Sequence, residues 1–164
     1  AQTMAQSIAR VDPELAAVFA AELPTGAAQE KAAIAVAQKW AEVDPRRAAA
    51  WVEAFSGSVQ AKAVNQVVQR WALSEPAAAG EWAAGLADAT SRDGALETYA
   101  KTAATLYPVY AGAYALAITD TGKRISAVSV VAKAWLKSNR DAASAWVLST
   151  DLSDAQKASL LASK

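Results

Sequence analysis

Histidine and cysteine are both absent, so any chemistry here must come from carboxylates, short basic clusters or the six tryptophans. Without imidazole there is no common general base, no usual zinc ligand and no hydrolase triad. Without a thiol there is no disulfide, no cysteine nucleophile and no soft-metal site. Asp12, Glu14, Glu42 and Asp44 come near one another if successive segments stack. A pair of acids is what glycoside hydrolysis uses. A simpler reading makes Asp12 and Asp44 helix caps, each directly before a proline, and leaves Glu14 and Glu42 in solvent.

Thr121-Gly122-Lys123-Arg124 precedes a helical pattern and could meet a phosphate at the helix N-terminus. The upstream glycines and the strand of a phosphate-binding loop are missing, so an interhelical turn is expected. Asp44-Pro45-Arg46-Arg47 places two cations beside acids, as on a solvated face. The tryptophans could form platforms for sugars or methylated amines. Each lies on the apolar stripe of its helix, which assigns Trp40, Trp51, Trp71, Trp82, Trp135 and Trp146 to inter-helix cores. The expectation is a protein that is not an enzyme, with no cofactor and no metal.

The elements that carry these residues are set out by a repeat. Phe19, Trp51, Trp82, Tyr114 and Trp146 follow one another at steps of 32, 31, 32 and 32 residues. Pro13, Pro45, Pro76 and Pro108 stand six residues before four of them, and Arg140 holds the fifth place. A second register, eleven residues before each aromatic, holds Ile8, Trp40, Trp71, Ala103 and Trp135. This period marks an all-α fold, an alpha-alpha superhelix (solenoid) of about five two-helix repeats of 31–32 residues. The expected domain is a single helical-repeat domain over 1–164, or a piece of a longer solenoid. About ten helices in a right-handed stack are expected, the hand by analogy with helical repeat folds.

Alanine supplies 45 of the 164 residues, which favours helices that approach closely. In the clearest unit, helix A covers about 29–42, with Ala33, Val36, Ala37 and Trp40 on one face. Helix B covers about 45–55, and Ser56-Gly57-Ser58 breaks it. The stretch 87–94 reads as a linker, and Thr121-Gly122 as a break. At Ala103 a small residue replaces tryptophan, and Tyr107 and Tyr110 are the expected compensation. Asn139 replaces the Asp-Pro cap of the last full unit. Ser153 and Gln156 have capping-box spacing for a short final helix reaching Leu161.

The unit W-x4-P-x5-W at Trp40, Pro45 and Trp51 resembles a tandem repeat of large proteins in verrucomicrobial and planctomycete bacteria, "WA-x2-DP-x2-A-x2-W-x3-LP-x-G". Trp40-Ala41, Asp44-Pro45, Trp51 and Phe55 match it, as do Trp71-Ala72, Glu75-Pro76, Trp82 and Leu86. Leu23-Pro24-Thr25-Gly26 matches its loop. The resemblance covers nearly the whole chain and implies a bacterial helical scaffold without an established activity. More distantly the chain is similar to tetratricopeptide-like and HEAT-like solenoids, in architecture only. The Leu-Gly pair of the tetratricopeptide unit is absent after Trp40 and Trp71.

Sixteen basic and sixteen acidic side chains give no long-range attraction to nucleic acid. No apolar run is long enough for a transmembrane helix. Cytoplasm and an exported, periplasmic setting both fit a cysteine-free chain. Ala1 is not an initiating methionine, which fits a cleaved export signal or an excised fragment. Apolar faces near both ends, including Ala158, Leu160 and Leu161, suit a longer repeat protein or end-to-end contact in a homo-oligomer.

A partner, expected to be a protein or peptide, should meet the polar side of helix A. Two residues before each anchor stand Gln38, Gln69, Lys101 and Lys133, joined by Lys39, Gln66, Arg70 and Thr102. This polar ladder makes a protein-interaction module the leading expectation. A structural spacer within a larger protein is the alternative. A non-catalytic helical platform of an envelope enzyme is a remote one.

Overall fold

Alanine-rich runs interrupted by Asp-Pro and glycine corners become helices in the computed structural model, which describes residues 2–162. Ala1 lies outside them. The described residues form eleven helices and no strand: α1 (Gln2–Ala9), α2 (Pro13–Glu22), α3 (Ala27–Val43), α4 (Pro45–Val52), α5 (Gly57–Ser74), α6 (Pro76–Gly85), α7 (Ala89–Ala103), α8 (Pro108–Leu116), α9 (Thr121–Ser138), α10 (Arg140–Ser149) and α11 (Asp154–Ala162). They fall into two compact units, Ala1–Ser74 and Glu75–Lys164.

In the first unit α3 packs against α1 and α5, while α2 and α4 each join the helices that flank them in sequence. Its core holds Val36, Val52, Val64, Val67 and Val68, all fully buried. Burying a side chain of this size stabilises by about 1.5–3 kcal/mol. In the second unit α7 packs against α9, α9 against α11, and α6 against α8. Leu96, Tyr99, Ile118, Val128, Val131 and Val147 are its fully buried large residues.

Three of the five corners from helix A to helix B share one capped geometry, while Glu75 and Tyr107 precede their prolines without a side-chain cap. Asp12, Asp44 and Asn139 end one helix and cap the next with the same residue. Their backbone N–H groups donate to Ile8, Trp40 and Trp135 carbonyls at 2.8 Å each. Their side chains accept from Leu15, Arg47 and Ala142 N–H at 2.9, 3.0 and 3.1 Å. The extended backbone needed before proline (φ −142, ψ 89 at Asp44) recurs before Arg140 (φ −151, ψ 92 at Asn139). The cap residue therefore sustains the corner without the proline.

The return corners differ between units. In the first, Gly26 (φ +144) and Gly57 (φ +61) supply backbone conformations that side-chain-bearing residues rarely adopt. In the second, Asp88 and Asp120 cap α7 and α9 through Ser91 and Lys123 N–H, at 2.7 and 2.8 Å. These caps move two boundaries. Only three residues separate α6 from α7, so most of 87–94 is helix rather than linker. Thr121-Gly122 forms the first turn of α9 rather than a break. In the other direction α4 stops at Val52, and a tighter turn carries the chain to Phe55.

The short C-terminal helix α11 has the capping box read from its sequence: Gln156 Oε1 accepts from Ser153 N–H at 2.9 Å. It packs on α9 and α10 as a helix A does. With this expected final helix the described helices number eleven, against the about ten read from the sequence.

Candidate functional site

The four acids that might have formed a catalytic pair are each engaged in a cap or an ion pair. Asp12 and Asp44 cap helices as their positions before proline implied. Glu14 pairs with Arg47 from the next helix B. Glu42 holds both Lys39 at 3.0 Å and Arg70 at 3.4 Å. Glu14 and Glu42 are thus exposed but paired, not simply solvated. Among the described residues no group of three or more acidic side chains could hold a metal.

The polar ladder is accessible to different degrees. Gln69, Arg70, Lys101 and Lys133 are exposed, whereas Gln38, Lys39, Gln66 and Thr102 are half-buried. In the first unit Glu42 brings Lys39 of α3 and Arg70 of α5 together. In the second, Lys101 of α7 pairs within its own helix with Glu97 at 2.6 Å, and Lys133 stands on the neighbouring α9.

The tryptophans divide between core and surface. Trp40 and Trp71 are buried, at 8% and 4% exposure. Trp51, Trp82, Trp135 and Trp146 are half-buried, a correction to the uniform core assignment. Trp51, Trp135 and Trp146 remain on aromatic seams. Trp40 meets Trp51 with ring centroids 5.9 Å apart, and Trp135 meets Trp146 at 5.6 Å. In the repeat without a helix A tryptophan, Tyr99 takes the role, edge-on to Tyr114 at 5.0 Å. Tyr107 and Tyr110, the expected substitutes, are half-buried and exposed. Tyr99 lies one helical turn before Ala103, so its longer ring fills the space from a different position. Burial, with the neighbouring Tyr114, Tyr110 and Tyr107, raises its phenol pKa well above the ordinary value. The buried hydroxyl donates to Pro76 carbonyl at 2.8 Å.

In the first unit the seam is open. A groove of about 560 Å³ lies between α2 and α4. Helix α2 contributes Glu14, Ala17, Val18 and Ala21; α4 contributes Arg47, Ala50 and Trp51; Trp40 of α3 completes the lining. Val18 is 53% exposed on its rim. The Glu14–Arg47 pair is the polar part of an otherwise apolar wall, and both side chains are more than half exposed.

The second unit differs at the matching positions. There, Gly80 and Gly112 stand two residues before the helix B aromatic. A Cβ on Gly80 would come 2.0 Å from the Tyr114 ring, and one on Gly112 would come 2.9 Å from Trp146. Absence of a side chain lets the next aromatic settle directly onto the preceding helix B. Ala17 and Trp51 occupy the corresponding positions of the first unit. Both residues line the groove. The glycines inside helical patterns were the sequence signal for this difference, and only the neighbouring rings give them meaning.

A second feature was also unread. Gln29, Gln60, Arg92 and Arg124 recur at steps of 31, 32 and 32 residues. Each reaches back to a carbonyl at or just past the end of the preceding helix B: Ala21 at 3.4 Å, Glu53 at 3.3 Å, Leu86 at 3.4 Å and Ile118 at 2.9 Å. These contacts satisfy carbonyls that a helix terminus leaves unpaired. They brace the return corner.

No family model matches this chain, and no curated protein or solved structure matches it.

Proposed function

We propose that this protein is a non-catalytic helical-repeat module that binds a protein or peptide segment, each unit being a stretch of alpha-alpha superhelix (solenoid) built from two-helix repeats. The groove between α2 and α4 carries this reading. It is apolar and open to solvent, and where Gly80 stands in the second unit the next helix B aromatic lies directly against the helix. Apolar clefts with a few placed polar groups are the usual form of a binding site. The repeat architecture supports the reading further, because stacked helix pairs present extended surfaces. Kinship with the bacterial Trp/Asp-Pro tandem repeats is part of the proposal and rests on the motif at Trp40, Pro45 and Trp51.

The test is selection from a random peptide library displayed on phage, with Ala17→Gly as the groove-closed control. A shared peptide motif that the control fails to select supports the module. Absence of any motif above background would return the chain to the rival role, a rigid spacer.

A further inference from the structure

The chemistry of the groove's ligand follows from a comparison of two successive repeats, and rests on the binding role proposed above. Arg46, the second residue of α4, lies over the Trp71 ring with its guanidinium carbon 5.4 Å from the centroid. Cations are drawn to the electron-rich face of an indole. Counting back one repeat, Arg46 becomes Glu14, the second residue of α2, and Trp71 becomes Trp40. One repeat thus carries its own cation on the helix A indole. The preceding repeat has a carboxylate in that place, and there the groove is open and lined by both Glu14 and Trp40.

The local charge balance points the same way. Arg47 contacts Glu14, and its Nε also lies 3.5 Å from Asp44 Oδ2. One guanidinium serves two carboxylates, so Glu14, beside the indoles of Trp40 and Trp51, shares its counter-ion with Asp44. The Glu14 and Arg47 side chains are 61% and 66% exposed, so their pair is solvated and opens at little cost.

We propose that the groove receives a cationic side chain, an arginine, a lysine or an N-methylated lysine, presented on a peptide segment of a partner. Its stem lies along Val18 and Ala21, and its head sits between the Glu14 carboxylate and the Trp51 and Trp40 indoles. The incoming cation takes Glu14 from Arg47, which Asp44 retains.

The experiment is an NMR titration of the full chain, following the tryptophan indole N–H signals. The probes are acetylated, amidated pentapeptides Ala-Ala-X-Ala-Ala, with X arginine, lysine, trimethyllysine, norleucine or glutamate. Saturable shifts at Trp51 with the three cations, and none with norleucine or glutamate, are expected. Glu14→Gln should weaken the cations about fivefold. Arg47→Ala should strengthen them, because it removes the internal competitor, and Ala17→Gly should abolish the shifts. Weaker cation binding in Arg47→Ala would overturn the proposal. So would norleucine or glutamate binding as well as the cations, though the module reading would survive that result. Failure of every probe would also overturn it, and the library selection then decides the module reading separately.

Discussion

Tyr114 rests on Gly80 so closely that a methyl group at Gly80 would stand 2.0 Å from the ring. This contact sets how near α6 and α8 approach, and Gly112 repeats it against Trp146. An alanine in a helix interior ordinarily stabilises by roughly 0.5–1 kcal/mol relative to glycine. Here overpacking wins, because the ring must leave its seat between two helices. Gly80→Ala should destabilise the chain by about 1–3 kcal/mol. Gly94, within α7, has no heavy atom within 4 Å of its would-be Cβ. Gly94→Ala should therefore stabilise by about 0.5–1 kcal/mol. Urea denaturation of both variants checks the pair; equal and favourable effects would mean that Tyr114 does not depend on a bare helix.

Trp71 is 4% exposed and has Arg46 over its ring. Trp71→Ala should cost roughly 3–5 kcal/mol, read from the shift in denaturation midpoint. A loss under about 1 kcal/mol would place the ring outside the core.

Asp93 is a buried carboxylate that braces the turn between α8 and α9. It accepts from Thr119 Oγ1 at 2.6 Å, Thr119 N–H at 3.1 Å and Asp120 N–H at 2.7 Å. Burial pushes its carboxyl pKa up, but these hydrogen bonds and the Arg92 charge outweigh burial and hold it below 3.8. A carboxyl depressed on folding adds stability above its unfolded value, and that stability is lost as pH falls through the folded value. Asp93→Ala should destabilise by about 1–3 kcal/mol at neutral pH through the stranded donors. It should also flatten the loss of stability below 3.8, measured as melting temperature against pH. A variant with the acid limb of the parent would remove Asp93 as its source.

Lys101 and Lys133 are exposed on α7 and α9. Lys101 pairs with Glu97 one turn away, a contact worth about 0.3–0.5 kcal/mol. Charge reversal at both positions should leave the helical circular dichroism and cooperative melting in place. If the polar ladder meets an acidic partner, the same change should weaken binding of a glutamate-rich peptide in a fluorescence titration. Undiminished binding would remove these lysines from the partner face.

Local signals carried the helices a long way. The Asp-Pro corners, the Asn139 cap and the Ser153 capping box were legible because each depends on residues within one turn. The expected linker at 87–94 went wrong at that same scale, since Asp88 caps α7 six residues earlier than Gly94 suggested. Of the candidate site, the residue types and their repeat were visible, and the polar ladder could be named. The groove could not.

What the sequence determined by itself was the order and type of the helices, the shared corner geometry and the absence of histidine and thiol chemistry. These follow from backbone capping, periodic apolar faces and composition. Tertiary structure decided which tryptophans are buried, that Tyr99 replaces the missing indole, and that Tyr114 lies against Gly80 while Ala17 lines an open groove. Each of these outcomes turns on the space between helices. A single methyl group changes that space while leaving the helical pattern of the sequence unaltered.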